Sequence, residues 1–342
     1  MSFYKKKVAL VTGSAGFIGY HLCRLLLEEK WQVIGLDCLS DYYDVNLKKR
    51  RESMLLEYEN YRSIHQEIQT PNILHDIFEA EKPSLVVHLA AQAGVRNSIE
   101  NPRSYLESNI VGTFELLEAS KFFPPQHLLI ASSSSVYGAN TSIPYKEIDK
   151  TDNQISFYAS TKKATENIAH YYSHLFELPI TIFRFFTVYG PWGRPDMAMF
   201  GFTKAILSGE KIDLFNHGNM KRDFTYIDDL IQGIRLIADK IPMLENGVFS
   251  SEDSKSSVAP FRVVNIGNSK PEKLESLIIA LEDALKVKAI KNFVPMQPGD
   301  VYATWADISL METLTGFKPR TNLNEGVKKF VAWYLREYGG NN

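Results

Sequence analysis

The sequence predicts an α/β fold: a Rossmann-like doubly wound parallel sheet with a smaller C-terminal mixed α/β substrate-binding region. Three observations carry this reading. Short β-rich runs alternate with helical patterns through the first half, a glycine-rich turn joins the first strand to the first helix, and the rhythm breaks after about residue 187. The expected division is 1–187 for a dinucleotide-binding domain with the catalytic residues and 188–342 mainly for substrate. The chain is expected to cross between the two near 225–267.

Val8-Ala9-Leu10-Val11 reads as a buried strand, and residues 17–29 carry apolar positions at helical spacing. A second strand covers 33–36, and a charged amphipathic helix covers 45–58. Strands at 85–87, 127–131 and 180–185 alternate with long helices over 103–121 and 157–176. Strands separated by helices give parallel pairing with both faces covered. Beyond 187, Pro191, Pro195 and several glycines shorten the elements. The five serines between Ser250 and Pro260 mark an exposed loop.

Composition narrows the class. The 342 residues are 44% hydrophobic and 23% charged, with net charge -2 and a pI near 6.5. That balance suggests neither a nucleic-acid surface nor an anionic-membrane surface. Lys5-Lys6-Lys7 runs into an apolar stretch too short for a signal-peptide core or a membrane span. Cys23 and Cys38, both in patterns that look buried, cannot form a secreted-type disulfide framework. A cytoplasmic enzyme is expected. His88, His127 and His217 fall in no metal-ligand spacing, so no metal is expected.

The first candidate site is Thr12-Gly13-Ser14-Ala15-Gly16-Phe17-Ile18-Gly19, which joins the first strand to the first helix. Gly13 lets the chain turn sharply, Gly16 clears the helix N-terminus for a pyrophosphate, and Gly19 permits close helix packing. Asp37 ends the second strand. A carboxylate there accepts hydrogen bonds from a ribose diol and repels a 2′-phosphate, so NAD is expected rather than NADP. The bland alternative is a tight strand–helix turn with a surface aspartate.

The second is Tyr158-Ala159-Ser160-Thr161-Lys162, which sets a phenol and an ammonium on one face of a helix start. A nearby cation favours phenolate and so lowers the phenol's pKa. Upstream, Ser132-Ser133-Ser134-Ser135-Val136-Tyr137-Gly138 lies at the carboxyl end of the strand 127–131, the edge where doubly wound sheets bind ligands. Separately, these patterns also describe an exposed helix pair and a polar strand cap.

Together with His88-Leu89-Ala90-Ala91 and Asn109-Ile110-Val111-Gly112-Thr113, these runs resemble the extended short-chain dehydrogenase/reductase family over essentially the whole chain. The resemblance implies that Ser133 bridges Tyr158 and a substrate oxygen, and that Lys162 holds the nicotinamide ribose and tunes Tyr158. It implies a cofactor pocket lined by Gly13, Gly16, Phe17, Ile18, Gly19, Asp37, Glu67, Ile68, Leu89, Ala90, Ala91 and Asn109. Glu67 stands where many members carry Asp.

Further motifs run over 90–96, 185–197, 222–229 and 297–300. They are similar to UDP-glucuronate 4-epimerases rather than to hexose epimerases, which usually have Asn at Thr187 and Arg at Gln297. By this resemblance Arg222 contacts the diphosphate and Asp300 the uridine ribose. Ser134, Thr187 and Arg194 hold the C6 carboxylate, and Arg96 lies near sugar or cofactor. Surface ion pairs with Asp223 or Asp196 are the alternative for Arg222 and Arg194.

The implied reaction is transient oxidation at C4 by tightly bound NAD, with a homodimer formed through the helices near 103–121 and 157–176. Decarboxylases and dehydratases of the family typically carry Glu where Ser135 stands, which disfavours a lyase. A 4-epimerase for another UDP-sugar and an NAD-binding protein without chemistry are the remaining readings.

Overall fold

The structure, a computed structural model, describes residues 7–244, 253–297 and 299–339. Lys5 and Lys6 of the basic start, Ser250 and Ser251 of the serine-rich loop, and Pro298 lie outside the described residues.

Strands β1 (Val8–Thr12), β2 (Gln32–Asp37), β3 (Tyr61–His65), β4 (Leu85–His88), β5 (His127–Ser133) and β6 (Ile180–Phe185) form one parallel sheet. β7 (Thr187–Tyr189), β8 (Lys211–Leu214) and β9 (Lys221–Tyr226) follow. Then β10 (Phe261–Ile266) returns to the main sheet and pairs in parallel with β6. The seven-stranded order is β10-β6-β5-β4-β1-β2-β3. The order reverses between β1 and β4, which opens a crevice above their carboxyl ends.

Period-two alternation explains why both faces are covered. Ala9 and Val11 of β1 join one core cluster, whereas Val8 and Leu10 join the other. The C-terminal region adds β11 (Pro271–Lys273), β12 (Ile290–Phe293) and β13 (Ala303–Thr304). β9 pairs with β7, β11 and β13, and β8 pairs with β12. An aromatic seam of Trp192, Phe200, Phe330, Trp333 and Tyr334 fastens the last helix, Leu323–Tyr338, to the helix Ala198–Leu207 and the loop before it.

Four expectations require correction. The helix expected over 103–121 is interrupted: Pro102–Tyr105 passes through a π segment, Leu106–Val111, into Gly112–Phe122. A π turn carries one extra residue per hydrogen-bonded loop. The segment presents Asn109 inward, and at its end a side chain on Gly112 would meet the Ile68 methyl at 2.4 Å. Strand β3 and the helix Ile73–Glu81 have no counterpart in the sequence reading, because β3 is an edge strand with mixed burial. The helix read as charged, Val45–Leu56, buries Lys48, Arg51 and Glu52 beside Leu47 and Leu55. Cys38 is exposed, one residue past the end of β2, whereas Cys23 is buried.

Candidate active site

The crevice at the sheet's switch point is a cleft of about 530 Å³. Its floor is the loop after β1. Gly13 has φ +72° and no room for a side chain, since a Cβ would stand 2.8 Å from the Ala90 nitrogen. Gly19 packs so tightly that a Cβ would stand 2.0 Å from the Gly13 carbonyl oxygen. The helix Phe17–Glu28 therefore begins against the cleft, and its N-cap Gly16 offers no side-chain cap to the first-turn N–H groups. A phosphate fits that arrangement, because amide donors and the positive helix end both face it.

Asp37 Oδ2 accepts from the Ala15 amide at 3.0 Å and Oδ1 from Leu39 at 2.8 Å, which fixes the carboxylate at the cleft wall. Glu67, Ile68, Leu89, Ala90 and Ala91 line the same cleft with Gly13, Gly16, Phe17, Ile18 and Gly19. Asn109 does not line it. Its Oδ1 accepts from the Gln92 amide at 2.8 Å, and its Nδ2 donates to the Gln92 carbonyl and Thr161 at 3.0 Å. Its place is behind the wall, tying the segment after β4 to the helix Phe157–Phe176.

That helix starts with Ser156 as N-cap, accepting from the Ala159 amide at 3.1 Å. It carries Tyr158 and Lys162 into the cleft that Ser133, Ser134 and Ser135 also line. Lys162 Nζ donates to the Ala131 carbonyl at 2.8 Å. Burial pushes this ammonium down to about 8, against the upward pull of Glu166. The Tyr158 phenol stands above its ordinary value, because burial outweighs the hydrogen bond with Ser133 and the charge of Arg194. The shift runs opposite to the lowering expected from Lys162, which is not among its causes.

Thr187 and Arg194 line the same cleft as Ser134. Arg194 forms the ion pair with Asp196 that the sequence left open, Nη2 to Oδ2 at 2.6 Å, and also donates to the Ala93 carbonyl at 3.3 Å. Tyr42 closes this corner, donating to Asp196 at 3.4 Å with the Arg194 guanidinium 5.6 Å from its ring.

Arg222 does not pair with Asp223. It donates through Nη2 to Asp300 Oδ1 at 2.6 Å, while buried Asp223 accepts from the amides of Asn268, Ser269 and Ala306. Burial lowers Arg222, partly offset by Asp300. This pair lies outside the lining of the main cleft, at its C-terminal flank, where a Cβ on Gly299 would approach Val95 at 3.2 Å. Arg96 stacks its guanidinium 4.7 Å from the Phe215 ring, also outside the lining.

Three features escaped sequence reading. Lys48 donates to Ser40 at 2.7 and 2.8 Å at the cleft wall. Glu166 takes hydrogen bonds from Ser132 at 2.6 Å and from Arg184 at 2.8 and 3.0 Å beneath the serine run. Arg51 is fully buried. The three- and four-residue spacing of 48, 51, 52 and 55 beside Leu47 was the available signal for Lys48 and Arg51.

Comparison with known proteins matches this geometry. The model of the NAD dependent epimerase/dehydratase family matches residues 9–249. A probable UDP-glucuronate 4-epimerase of Rhizobium meliloti is 47% identical over 331 residues, 96% of this chain and 97% of the relative. UDP-glucuronate 4-epimerase 4 of Arabidopsis thaliana is 49% identical over 336 residues, 97% of this chain and 76% of the relative. The crystal structure of the Bacillus cereus UDP-glucuronic acid 4-epimerase with UDP-glucuronic acid and NAD superposes with a TM-score of 0.86 at 33% identity, covering 97% of this chain and all of that one. With a family model over most of its length and relatives near half identity end to end, the chain belongs to the NAD dependent epimerase/dehydratase family.

Proposed function

We propose that this protein is a UDP-glucuronate 4-epimerase, an isomerase that interconverts UDP-glucuronate and UDP-galacturonate. The observation that carries the reading is convergence: Ser133, Tyr158 and Lys162 line the same cleft as Ser134, Thr187, Arg194 and the glycines of the phosphate loop. NAD, when bound there, accepts the C4 hydride and returns it. Gly13, Gly16, Phe17, Ile18 and Gly19 hold its diphosphate, Asp37 its adenosine ribose, and Lys162 its nicotinamide ribose.

Tyr158 removes the 4-hydroxyl proton and later returns one, with Ser133 holding the same oxygen. The 4-keto uronate between those steps is a β-keto acid that can lose CO₂. Hydroxyls of Ser134 and Thr187 and the Arg194 guanidinium hold its carboxylate charge and raise that barrier. Arg222 and Asp300 hold the UDP end, their mutual ion pair opening to accept it, and Arg96 flanks the sugar.

The functional division we adopt is 1–187 for cofactor and catalysis and 188–342 mainly for the UDP-sugar, with β10 returning to the first unit. Two chains pair through the helices near 103–121 and 157–176. Exposed Leu106, Phe114 and Phe122 on one and Tyr171 and Leu175 on the other support that face. Among the described residues no helix is long and apolar enough to cross a membrane. The free thiols Cys23 and Cys38 fit a cytoplasmic enzyme, and its product would supply a polysaccharide-building reaction.

The test is incubation of purified protein with UDP-glucuronate without added cofactor, followed by proton NMR. Growth of UDP-galacturonate to a fixed ratio is expected. A pentose nucleotide with CO₂ overturns the reading in favour of a decarboxylase, and turnover of UDP-glucose or UDP-N-acetylglucosamine alone overturns the carboxylate assignments.

A further inference from the structure

Arg51 is a fully buried guanidinium that forms no ion pair with a carboxylate among the described residues. Buried charges are ordinarily paired, so a cation held by neutral acceptors alone calls for a reason. Its acceptors come from three separate segments. Nη1 donates to the Ala15 carbonyl of the phosphate loop at 3.0 Å and to the Tyr43 hydroxyl at 2.8 Å. Nη2 donates to the carbonyls of Trp192 at 2.6 Å and Gly193 at 3.2 Å, immediately before Arg194.

The third acceptor segment, Trp192 and Gly193, is held under strain and from more than one side. Trp192 sits at φ +62°, a left-handed conformation unusual for a bulky residue. The preceding carbonyl, Pro191, accepts from His21 Nε2 at 3.0 Å, and burial holds that imidazole down to about 3 and therefore neutral. Three successive carbonyls, 191 to 193, are thus pegged to the helix that follows the phosphate loop and to the helix Val45–Leu56. Non-glycine strain of this kind persists only where surrounding structure enforces it, and it is common at ligand clamps.

We propose that Arg51 is a positioning residue that couples occupancy of the phosphate loop to placement of Arg194, so that the cofactor and the UDP-sugar bind cooperatively. One planar guanidinium spans both loops; an anion seated at the adjacent helix N-terminus meets its uncompensated charge and fixes Ala15. The same guanidinium then fixes Trp192 and Gly193. By thermodynamic reciprocity, substrate must tighten the cofactor by the same factor. This inference rests on the assignment of the cleft to NAD and a UDP-uronate.

The experiment is calorimetric titration of UDP-glucuronate into cofactor-stripped and NAD-loaded protein, using the Tyr158→Phe background so that no turnover occurs. In the otherwise wild-type chain, NAD is expected to tighten UDP-glucuronate by about tenfold, within the ordinary range of coupling. In Arg51→Met the ratio is expected to fall toward one, with the affinity of the stripped protein changed less than threefold. Arg51→Lys, with one point donor for acceptors on separate segments, is expected to lose at least half of the coupling and serves if the Met variant does not fold. A ratio in a folded Arg51 variant equal to that of the parent overturns the proposal, as does a ratio of one in the parent. Failure of the parent to bind UDP-glucuronate at all would instead count against the substrate assignment.

Discussion

Tyr158 stands beside two groups that favour its ionised form, Ser133 and Arg194, yet its phenol is raised because burial costs more than both return. Burial therefore favours Tyr158 as phenol, against the direction a general base needs. The expected outcome is no Tyr158-dependent phenolate absorbance at about pH 9 in cofactor-stripped protein, judged against Tyr158→Phe, since an unperturbed phenol titrates near 10. A difference between the two at neutral pH would show the base to be preformed. Tyr158→Phe itself is expected to lower kcat by about 10²–10⁴, the usual range for a lost general base, while leaving UDP-glucuronate binding within a few-fold. The hydroxyl of Thr187 carries a different expectation. Thr187→Ala is expected to raise the fraction of turnovers that end in CO₂ and a pentose nucleotide, measured by NMR on the same samples, because one donor to the carboxylate is gone.

The helix Phe157–Phe176 acts as a single positioning device. Its four-residue spacing places Tyr158, Lys162 and Glu166 along one face. Glu166 anchors that face from below, accepting from Ser132 and pairing with Arg184, both members only 3% exposed. Removing one partner of a buried pair leaves an uncompensated charge, so Glu166→Ala is expected to destabilise the fold by about 3–5 kcal/mol. Arg184→Met together with Glu166→Leu should recover much of that loss, and chemical denaturation of both variants checks it.

Such an element was readable because its signals are local: the bounds 157–176 and Ile180–Phe185 follow from periodicity, and the glycines and the Tyr–Lys spacing lie within a few consecutive residues. The unread features depend on distant partners. Arg51 looks like any helix-surface arginine until Ala15 and Trp192 are folded around it. Asn109 reads as a lining residue until the π segment turns it onto Gln92. Strand β3 alternates too weakly to declare itself before β2 stands beside it. The pairings of Arg194 with Asp196 and Arg222 with Asp300 could not be chosen from spacing, because 194–196 are neighbours while 222 and 300 meet only across β9 and the segment before β13.

At the scale of the whole molecule, both faces of the sheet and its first helix bury neutral imidazoles. His88 bridges Thr12 and Thr113, His127 bridges Ala238 and Thr181, and His21 holds Pro191. Burial holds them down to about 3 for His21 and His88 and about 4 for His127. In the unfolded chain each protonates near pH 6.5. Between those values the unfolded state binds protons that the native state refuses, so native stability is full above about pH 6.5 and falls as pH drops below it. Each site costs about 1.4 kcal/mol per pH unit, and the three together about 4. A half-buried carboxyl opposes them. Glu147, packed near Arg184 and Asp307 and accepting from the Asn265 amide, is pushed up to about 7 by burial. Its folded state takes up a proton before the unfolded chain does, so acidification from about pH 7 toward 4.5 favours the fold and offsets about a third of the histidine loss. The net expectation is a decline of about 3 kcal/mol per pH unit between pH 6 and 5, read as a falling denaturant midpoint. His127→Gln, which keeps a donor for the Ala238 carbonyl, should flatten the slope by about 1.4 kcal/mol per unit, whereas Glu147→Gln should steepen it by a similar amount. A midpoint that stays level from pH 7 to 5 would mean that these imidazoles take up protons in the native state, which the carbonyl and hydroxyl partners around them do not favour.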